Sequence, residues 1–126
     1  MYETPYCQLK HLKEKNIILC KWKQFCKGDN YRDPLIFATQ EIEKHQISTW
    51  ITDTTHGFES DEADTKWLLE EFVPSMINSS IKKVIFIIAE DSPLMEEIKA
   101  QAAALSQFFE VTLIENLDIG NEENKT

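Results

Sequence analysis

The sequence predicts a single α/β domain built on a mixed five-stranded sheet, and three observations predict it. Segments typical of strands alternate with segments whose apolar residues recur at helical spacing. Residues 84–89 form a continuously apolar run, as expected for a strand covered on both faces. The 126 residues suffice for one core, and no repeat or linker divides them. We therefore expect the order β-β-α-β-α-β-α-β, an antiparallel hairpin followed by right-handed parallel crossovers.

The first half of the chain predicts a hairpin and then a helix. Strands are expected at residues 6–12 and 17–22, joined by the polar turn 13–16. Asp33 and Pro34 then predict a helix start, with Asp33 as N-cap and Pro34 at the first helical position.

The middle of the chain predicts the third strand and the second helix. The strand is expected at residues 47–52. The acidic residues 59–62 favour the positive end of the helix that follows. Pro74 lacks a backbone donor, so this helix must kink or restart there.

The remaining elements complete the sheet. The fourth strand is expected at residues 83–89, near the centre of the sheet, and the last at 111–114. Between them, Ser92 and Pro93 repeat the pattern of a cap followed by proline. We expect the α/β domain to span residues 1–117 and the polar stretch 118–126 to be a disordered tail.

The charge balance limits the kinds of partner. Thirteen basic and twenty-two acidic residues give a formal net charge of −9. Contact with a phosphate backbone or an anionic membrane surface needs a basic surface, so neither nucleic acid nor a membrane is expected. The longest apolar run is also too short for membrane insertion.

The cysteines predict a reduced, cytoplasmic protein. Cys7, Cys20 and Cys26 are odd in number and follow no disulfide framework. Cys-x-x-Cys spacing is lacking, so no metal is expected. With three glycines in the chain, no phosphate-binding loop is expected either, and the sequence predicts no cofactor.

The most informative segment follows the third strand, because loops at the carboxyl ends of strands gather ligands and partners in α/β folds. It combines an acid, two hydroxyls, a histidine and a glycine, and we predict it as the partner-binding or regulatory loop: Asp53, Thr54, Thr55, His56, Gly57 and Phe58. Two other interpretations stay open. Asp53 and the threonines could simply satisfy local backbone donors, or the loop could serve catalysis.

Tryptophans and acids also have ordinary structural interpretations. Trp50 and Trp67 lie within apolar patterns and are expected in the core, whereas Trp22 ends a strand and is expected to be partly exposed. The acidic residues 59–64 are expected to form a solvated helix start.

Landmarks spread over residues 9–114 resemble the STAS fold of anti-anti-sigma factors, and more closely the bacterial STAS/SEC14-type domains. They are Trp22, Tyr31-Arg32, Trp50, Asp53, Trp67, Pro74 and Lys83. In phosphorylated members the loop after the third strand has a sequence similar to Asp-Ser-Ser-Gly. This chain has Asp53, two threonines and His56 before the glycine there. The resemblance raises phosphorylation of Thr54 or Thr55 as an open question.

The resemblance implies a non-enzymatic, cytoplasmic regulatory or protein-interaction module that acts in signalling. The alternative that it implies is a carrier or sensor of a small apolar, lipid-like ligand, lined by Phe58, Trp67 and Phe86. A third hypothesis is an enzyme that uses the loop after Asp53. We also expect a homodimer, since two-fold dimers are the commonest assembly and large side chains lie near element ends, such as Phe25 and Phe108.

Overall fold

A computed structural model describes residues 2–115 of the chain. Over these residues one sheet has six strands, in the spatial order β1-β2-β3-β4-β5-β6. The strands are β1 (Tyr2–Glu3), β2 (Cys7–Leu12), β3 (Ile17–Trp22), β4 (Thr49–Asp53), β5 (Lys83–Ile87) and β6 (Glu110–Ile114).

Three helical units connect the parallel strands. The first is α1 (Asp29–His45), and the last is α4 (Met95–Leu105). The middle unit is continuous but changes its winding: α2 (Glu62–Trp67), a π-helical turn (Leu68–Phe72) and α3 (Val73–Ile77). No helix within residues 2–115 has both the length and the apolar character needed to cross a bilayer.

The mixed α/β class is confirmed, but the prediction of five strands is wrong. The extra strand is β1, in which Tyr2 and Glu3 pair with Leu9 and Gln8 of β2. Two residues are too few for a periodic pattern, so the sequence gives no signal for it. The hairpin of β2 and β3 is antiparallel, and β3 to β6 run parallel. Among these six strands β5 is interior, while β3 and β4 occupy the middle.

The first helix begins earlier than predicted. It starts at Asp29, after Gly28 with φ of 62°, and Asp33 and Pro34 lie inside it. Pro34 lies beyond the first turn, whose N–H groups lack intrahelical acceptors, so α1 continues past it with one backbone hydrogen bond fewer.

The middle helical unit changes its winding just before Pro74, close to the kink or restart that was predicted there. The N–H of Val73 bonds to the carbonyl of Leu68, five residues earlier, so the π-helical turn widens the backbone just before the proline. The helix then restarts as α3 with Pro74 in its first turn.

The start of the last helix also differs from the prediction. Ser92 and Pro93 form a turn, in which the Ser92 hydroxyl accepts the N–H of Leu94 at 3.1 Å, and α4 begins only at Met95. The cap therefore stabilises the turn that precedes the helix.

All three helical units pack on one face of the sheet. The parallel strands follow one another in space, so equal-handed crossovers bring every helix to the same side. The main core lies there, between strand residues such as Trp50 and Phe86 and helix residues such as Leu35, Phe72 and Ile98. A second, smaller apolar cluster occupies the opposite face, with Ile17, Leu19, Ile51, Ile85 and Ile87.

The expectation that Trp22 is partly exposed is wrong. Its side chain is 1% exposed and stacks on Tyr31 with ring centroids 4.9 Å apart. Its indole N–H donates to the Thr52 hydroxyl at 3.3 Å. Trp22 ends its strand, but α1 begins close by and covers it. Trp50 is buried as predicted, and Trp67 is partly buried against the core.

Candidate functional site

The carboxyl ends of β3 to β6 meet at one edge of the sheet, which we call the carboxyl edge. The connections 23–28, 54–61 and 88–94 leave the sheet there. The predicted loop from Asp53 to Phe58 belongs to the second of them. The fold therefore places this loop where α/β proteins most often bind ligands and partners.

The first two connections are tied together through their backbones. The N–H of Cys26 donates to the carbonyl of Phe58 at 3.1 Å, and the N–H of Ser60 donates to the carbonyl of Cys26 at 3.0 Å. A Cβ at Gly57 would lie 2.1 Å from the carbonyl carbon of Gln24, so only glycine permits this approach. The two loops form one rigid unit.

Hydrogen bonds within the predicted loop fit the interpretation as local backbone caps. One Asp53 carboxylate oxygen accepts the N–H of Thr55 at 3.0 Å. The Thr54 hydroxyl is buried and donates to the carbonyl of Ile87 at 2.8 Å. Gly57 and Phe58 are buried too. What the loop presents to solvent is Thr55 and His56, beside the half-buried Asp53.

The structure does not bring Asp53 and His56 together. Within residues 2–115 no hydrogen bond or ion pair joins them, and Asp53 is already engaged with Thr55. An acid–base pair needs the two groups within hydrogen-bonding reach. The enzyme hypothesis therefore gains no geometric support from this loop.

Phe25 is a residue of this edge that the loop prediction missed. It lies in the connection after β3, next to Cys26, and its side chain is 50% exposed. A large exposed aromatic on a rigid loop is a typical interface anchor. The exposure of Phe25 could not be predicted from the sequence. The sequence indicated only that Phe25 is a large side chain near the end of an element.

Acidic side chains complete the exposed part of the edge. Glu90 and Asp91 follow β5, beside Glu115 at the end of β6. Hydrogen bonding and charge repulsion from Glu90, with repulsion from Asp91, raise the pKa of Glu115. We define the carboxyl-edge surface as Phe25, Thr55, His56, Glu90 and Asp91.

Beneath this surface the acidic run 59–64 is partly buried, contrary to the prediction of a solvated helix start. Asp61 does cap α2, accepting the N–H of Ala63 at 3.0 Å. Asp64, however, is 1% exposed. Its oxygens accept from the Arg32 guanidinium at 2.7 Å and from the N–H of Gly28 at 2.8 Å. These bonds join the start of α1 to α2.

Glu59 is the second buried carboxyl, 5% exposed, because its backbone pairs with Cys26 in a short parallel bridge. The Thr65 hydroxyl donates to one of its oxygens, and the other oxygen, Oε2, has no hydrogen-bond partner among the described residues. Burial raises the pKa of Glu59 to about 7, against the lowering effect of Thr65 and with further raising by Glu97 and Asp64.

A small cavity of about 30 Å³ lies between the sheet and the middle helical unit. Two of the three predicted ligand-lining residues, Phe58 and Phe86, line it, whereas Trp67 does not. Gln101 also lines the cavity, and its side-chain nitrogen lacks a hydrogen-bond partner among the described residues. The volume is that of about one water molecule.

The three cysteines are buried, free thiols. The sulfur atoms of Cys7 and Cys20 lie 3.5 Å apart across β2 and β3. Burial, with the neighbouring Cys7, raises the pKa of the Cys20 thiol, which opposes reactivity. Within residues 2–115 no group of three or more His, Cys, Asp or Glu side chains could hold a metal ion.

Comparison of the chain with protein-family models, with curated proteins and with solved structures finds no match. The resemblance to STAS domains therefore stays a prediction, and the function must be argued from the geometry of the carboxyl edge.

Proposed function

We propose that this chain is a non-enzymatic regulatory module that binds another protein through the carboxyl-edge surface. The observation that carries the proposal is an exposed aromatic, Phe25, held on a connection whose backbone is bonded to the loop that presents Thr55 and His56. A rigid surface loses little conformational entropy on binding, so more of the contact energy becomes affinity.

Charge adds a preference for the kind of partner. The exposed acids Glu90 and Asp91 belong to the same edge, and the whole chain has a net charge of −9. A partner with a basic contact surface would associate faster, with an on-rate that falls as salt rises.

Thr55 is the residue through which this surface would be regulated. Its side chain is exposed, whereas Thr54 is buried and bonded to Ile87, so only Thr55 offers a kinase an accessible hydroxyl. A phosphate there would add negative charge next to Asp53, which accepts the Thr55 N–H.

Affinity capture with the purified chain tests the proposal. Thr55→Glu and His56→Ala should each lower recovery of a partner at least about tenfold, while thermal unfolding stays within about 0.5 kcal/mol of the wild type. The matched control is Gln107→Glu, an exposed position at the opposite edge that receives the same charge. If the partner is recovered equally well with Thr55→Glu, His56→Ala and the control Gln107→Glu, the proposal is contradicted.

A second candidate function is binding of a small apolar ligand at the small cavity, which at about 30 Å³ would have to expand to admit one. Leu69 lines the cavity and is also exposed, so its side chain is the barrier to solvent. Because Trp22 and Trp50 line the same space, their fluorescence reports its occupation. Leu69→Ala should increase the affinity for benzaldehyde as a probe, and a fluorescence signal that never saturates in either protein would exclude this candidate.

A further inference from the structure

Two histidines from distant parts of the chain meet at the edge opposite the carboxyl edge. His11 lies in β2, paired in register with Ile18 of β3, and His45 is the last residue of α1. The centroids of their rings are 4.7 Å apart, and the ring planes are tilted by 38°. This contact joins the end of α1 to the hairpin, away from the proposed partner-binding surface.

The surroundings of His45 suit a protonated ring. Its Nε2 lies 3.6 Å from a carboxylate oxygen of Glu41, one helical turn earlier. The carbonyl groups at a helix C-terminus also favour a positive charge. A proton carried by His45 therefore has a partner, and it can arrive from water because His45 is exposed.

The surroundings of His11 do not suit a protonated ring. Its Nδ1 is buried and makes no hydrogen bond among the described residues. A neutral imidazole can leave this nitrogen bare, as an acceptor, whereas a protonated imidazole carries an N–H on both nitrogens. Nδ1 would then be a buried donor without an acceptor, which costs stability.

The charges around His11 also oppose a proton there. Burial has the largest influence, and burial, His45 of α1 and Lys13 of the turn after β2 together lower the pKa of His11. Glu41 of α1 acts in the opposite direction. The contact between the rings therefore fits one proton and not two.

We propose that His11 and His45 hold at most one proton between them while α1 packs on β2, and that a second proton, taken from solvent, detaches the last turn of α1 from β2. The second proton binds a ring nitrogen of His11 and leaves two positive rings in contact. Separation of the rings lets water solvate both charges and gives Nδ1 an acceptor. This device is independent of the proposed partner binding, so either can fail without the other.

The pH range follows from the direction of the pKa. Because the pKa of His11 is lowered from its usual value of 6.5, the folded protein binds this proton less tightly than the unfolded chain does. The stabilisation is present above the unfolded value. It is lost as pH falls through the lower, folded value, so mild acid is the signal.

Ring-proton NMR on the full chain tests the pair directly. His11 should have an acid dissociation constant at least about threefold larger than that of His56, an exposed histidine of the carboxyl-edge surface. His45→Phe keeps an aromatic ring at this position but removes its charge, and it should make the His11 constant at least about twofold smaller. Equal constants for His11 and His56, or an unchanged His11 in His45→Phe, would overturn the proposal.

Urea unfolding of matched variants gives a second test. Between about pH 7.5 and about pH 5, the unfolding equilibrium constant should rise at least about twofold more in the wild type than in His11→Gln, because glutamine takes up no proton. His56→Gln should keep the wild-type rise. If His11→Gln keeps it too, the excluded proton is refuted.

The detachment of α1 has its own measurement. Amide exchange at residues 42–46, corrected for the intrinsic effect of pH, should speed up below about pH 6 in the wild type and not in His11→Gln. Residues 35–38, in the middle of α1, should stay protected in both proteins. Unchanged protection of residues 42–46 in the wild type would show that α1 stays attached and would overturn the proposal.

Discussion

The two edges of the sheet satisfy their polar groups in different ways. At the opposite edge, where β3 to β6 begin and which we call the amino edge, the Asn16 side chain donates to the carbonyl of Gln46 at 3.0 Å and the Ser80 hydroxyl donates to that of Ile47 at 2.6 Å. The ion pair of Lys83 and Glu110 at this edge is exposed. At the carboxyl edge two carboxyls are buried, and one oxygen of Glu59 lacks a partner among the described residues. Buried carboxyls cost stability and are frequent at functional sites. The two buried carboxyls of the described residues, Glu59 and Asp64, both lie at the carboxyl edge, which favours this edge as the functional one.

The backbone contact between the two carboxyl-edge loops should have the largest effect. Gly57→Ala places a methyl group 2.1 Å from the Gln24 backbone, so the loops must separate, and we expect a loss of about 3 kcal/mol in the free energy of unfolding. Gly28→Ala is the matched control. Its added Cβ meets open space, but its backbone (φ 62°, ψ −137°) lies in a region that favours glycine, so we expect a smaller loss of about 2 kcal/mol. Equal losses in urea unfolding would argue against a rigid pair of loops.

The Arg32–Asp64 pair should come next. Arg32→Leu leaves the buried Asp64 with the N–H of Gly28 as a donor, and we expect a loss of about 2 kcal/mol, discounted because Arg32 is a third exposed. Lys23→Leu, which removes the exposed pair with Glu3, should cost less than about 1 kcal/mol. Thermal unfolding of the two variants measures the difference, and a larger loss for Lys23→Leu would reverse our ranking.

The two threonines of the predicted loop should differ more modestly. Thr54→Val removes a buried hydroxyl that donates to the Ile87 carbonyl, at an expected cost of about 1 kcal/mol. Thr55→Val changes an exposed side chain and should cost nearly nothing. Chemical denaturation at equilibrium measures the free energy of unfolding of the two variants. A costly Thr55→Val with a neutral Thr54→Val would mean that the loop is arranged differently.

Self-association is the weakest of the expected effects. Phe25 and Phe108 are 50% and 56% exposed, one at each edge, whereas Trp22 is buried and cannot contribute to an interface. The homodimer stays a prediction, with a dimer expected in sedimentation at micromolar concentration. A clean monomer up to high concentration would contradict it.

Much of the fold was predictable because its elements have clear local patterns. The strands at residues 84–87 and 111–114 lie in or near β-branched apolar runs, and the restart at Pro74 follows from a missing N–H. Helix starts were harder. Asp33-Pro34 looks like a cap, but the turn at Gly28 begins the helix five residues earlier.

The position of the candidate site could be predicted from the sequence, but the burial of the acidic side chains beneath it could not. A polar loop after a strand pointed to Thr55 and His56, which are exposed as an interaction loop requires. The burial of Glu59 depends on its backbone pairing with Cys26, and that of Asp64 on Arg32, both distant in sequence. Local patterns assign such an acidic run to solvent, because only tertiary contacts can bury it.

Site-specific photocrosslinking tests the central claim most directly. A benzoylphenylalanine at position 25, on the carboxyl edge, is compared with one at position 108, equally exposed on the amino edge. We predict a discrete crosslink to another protein from position 25, lost when Thr55→Glu is added, and none from position 108. Crosslinks only from position 108, or equally from both positions, would contradict the assignment of the carboxyl edge as the binding surface.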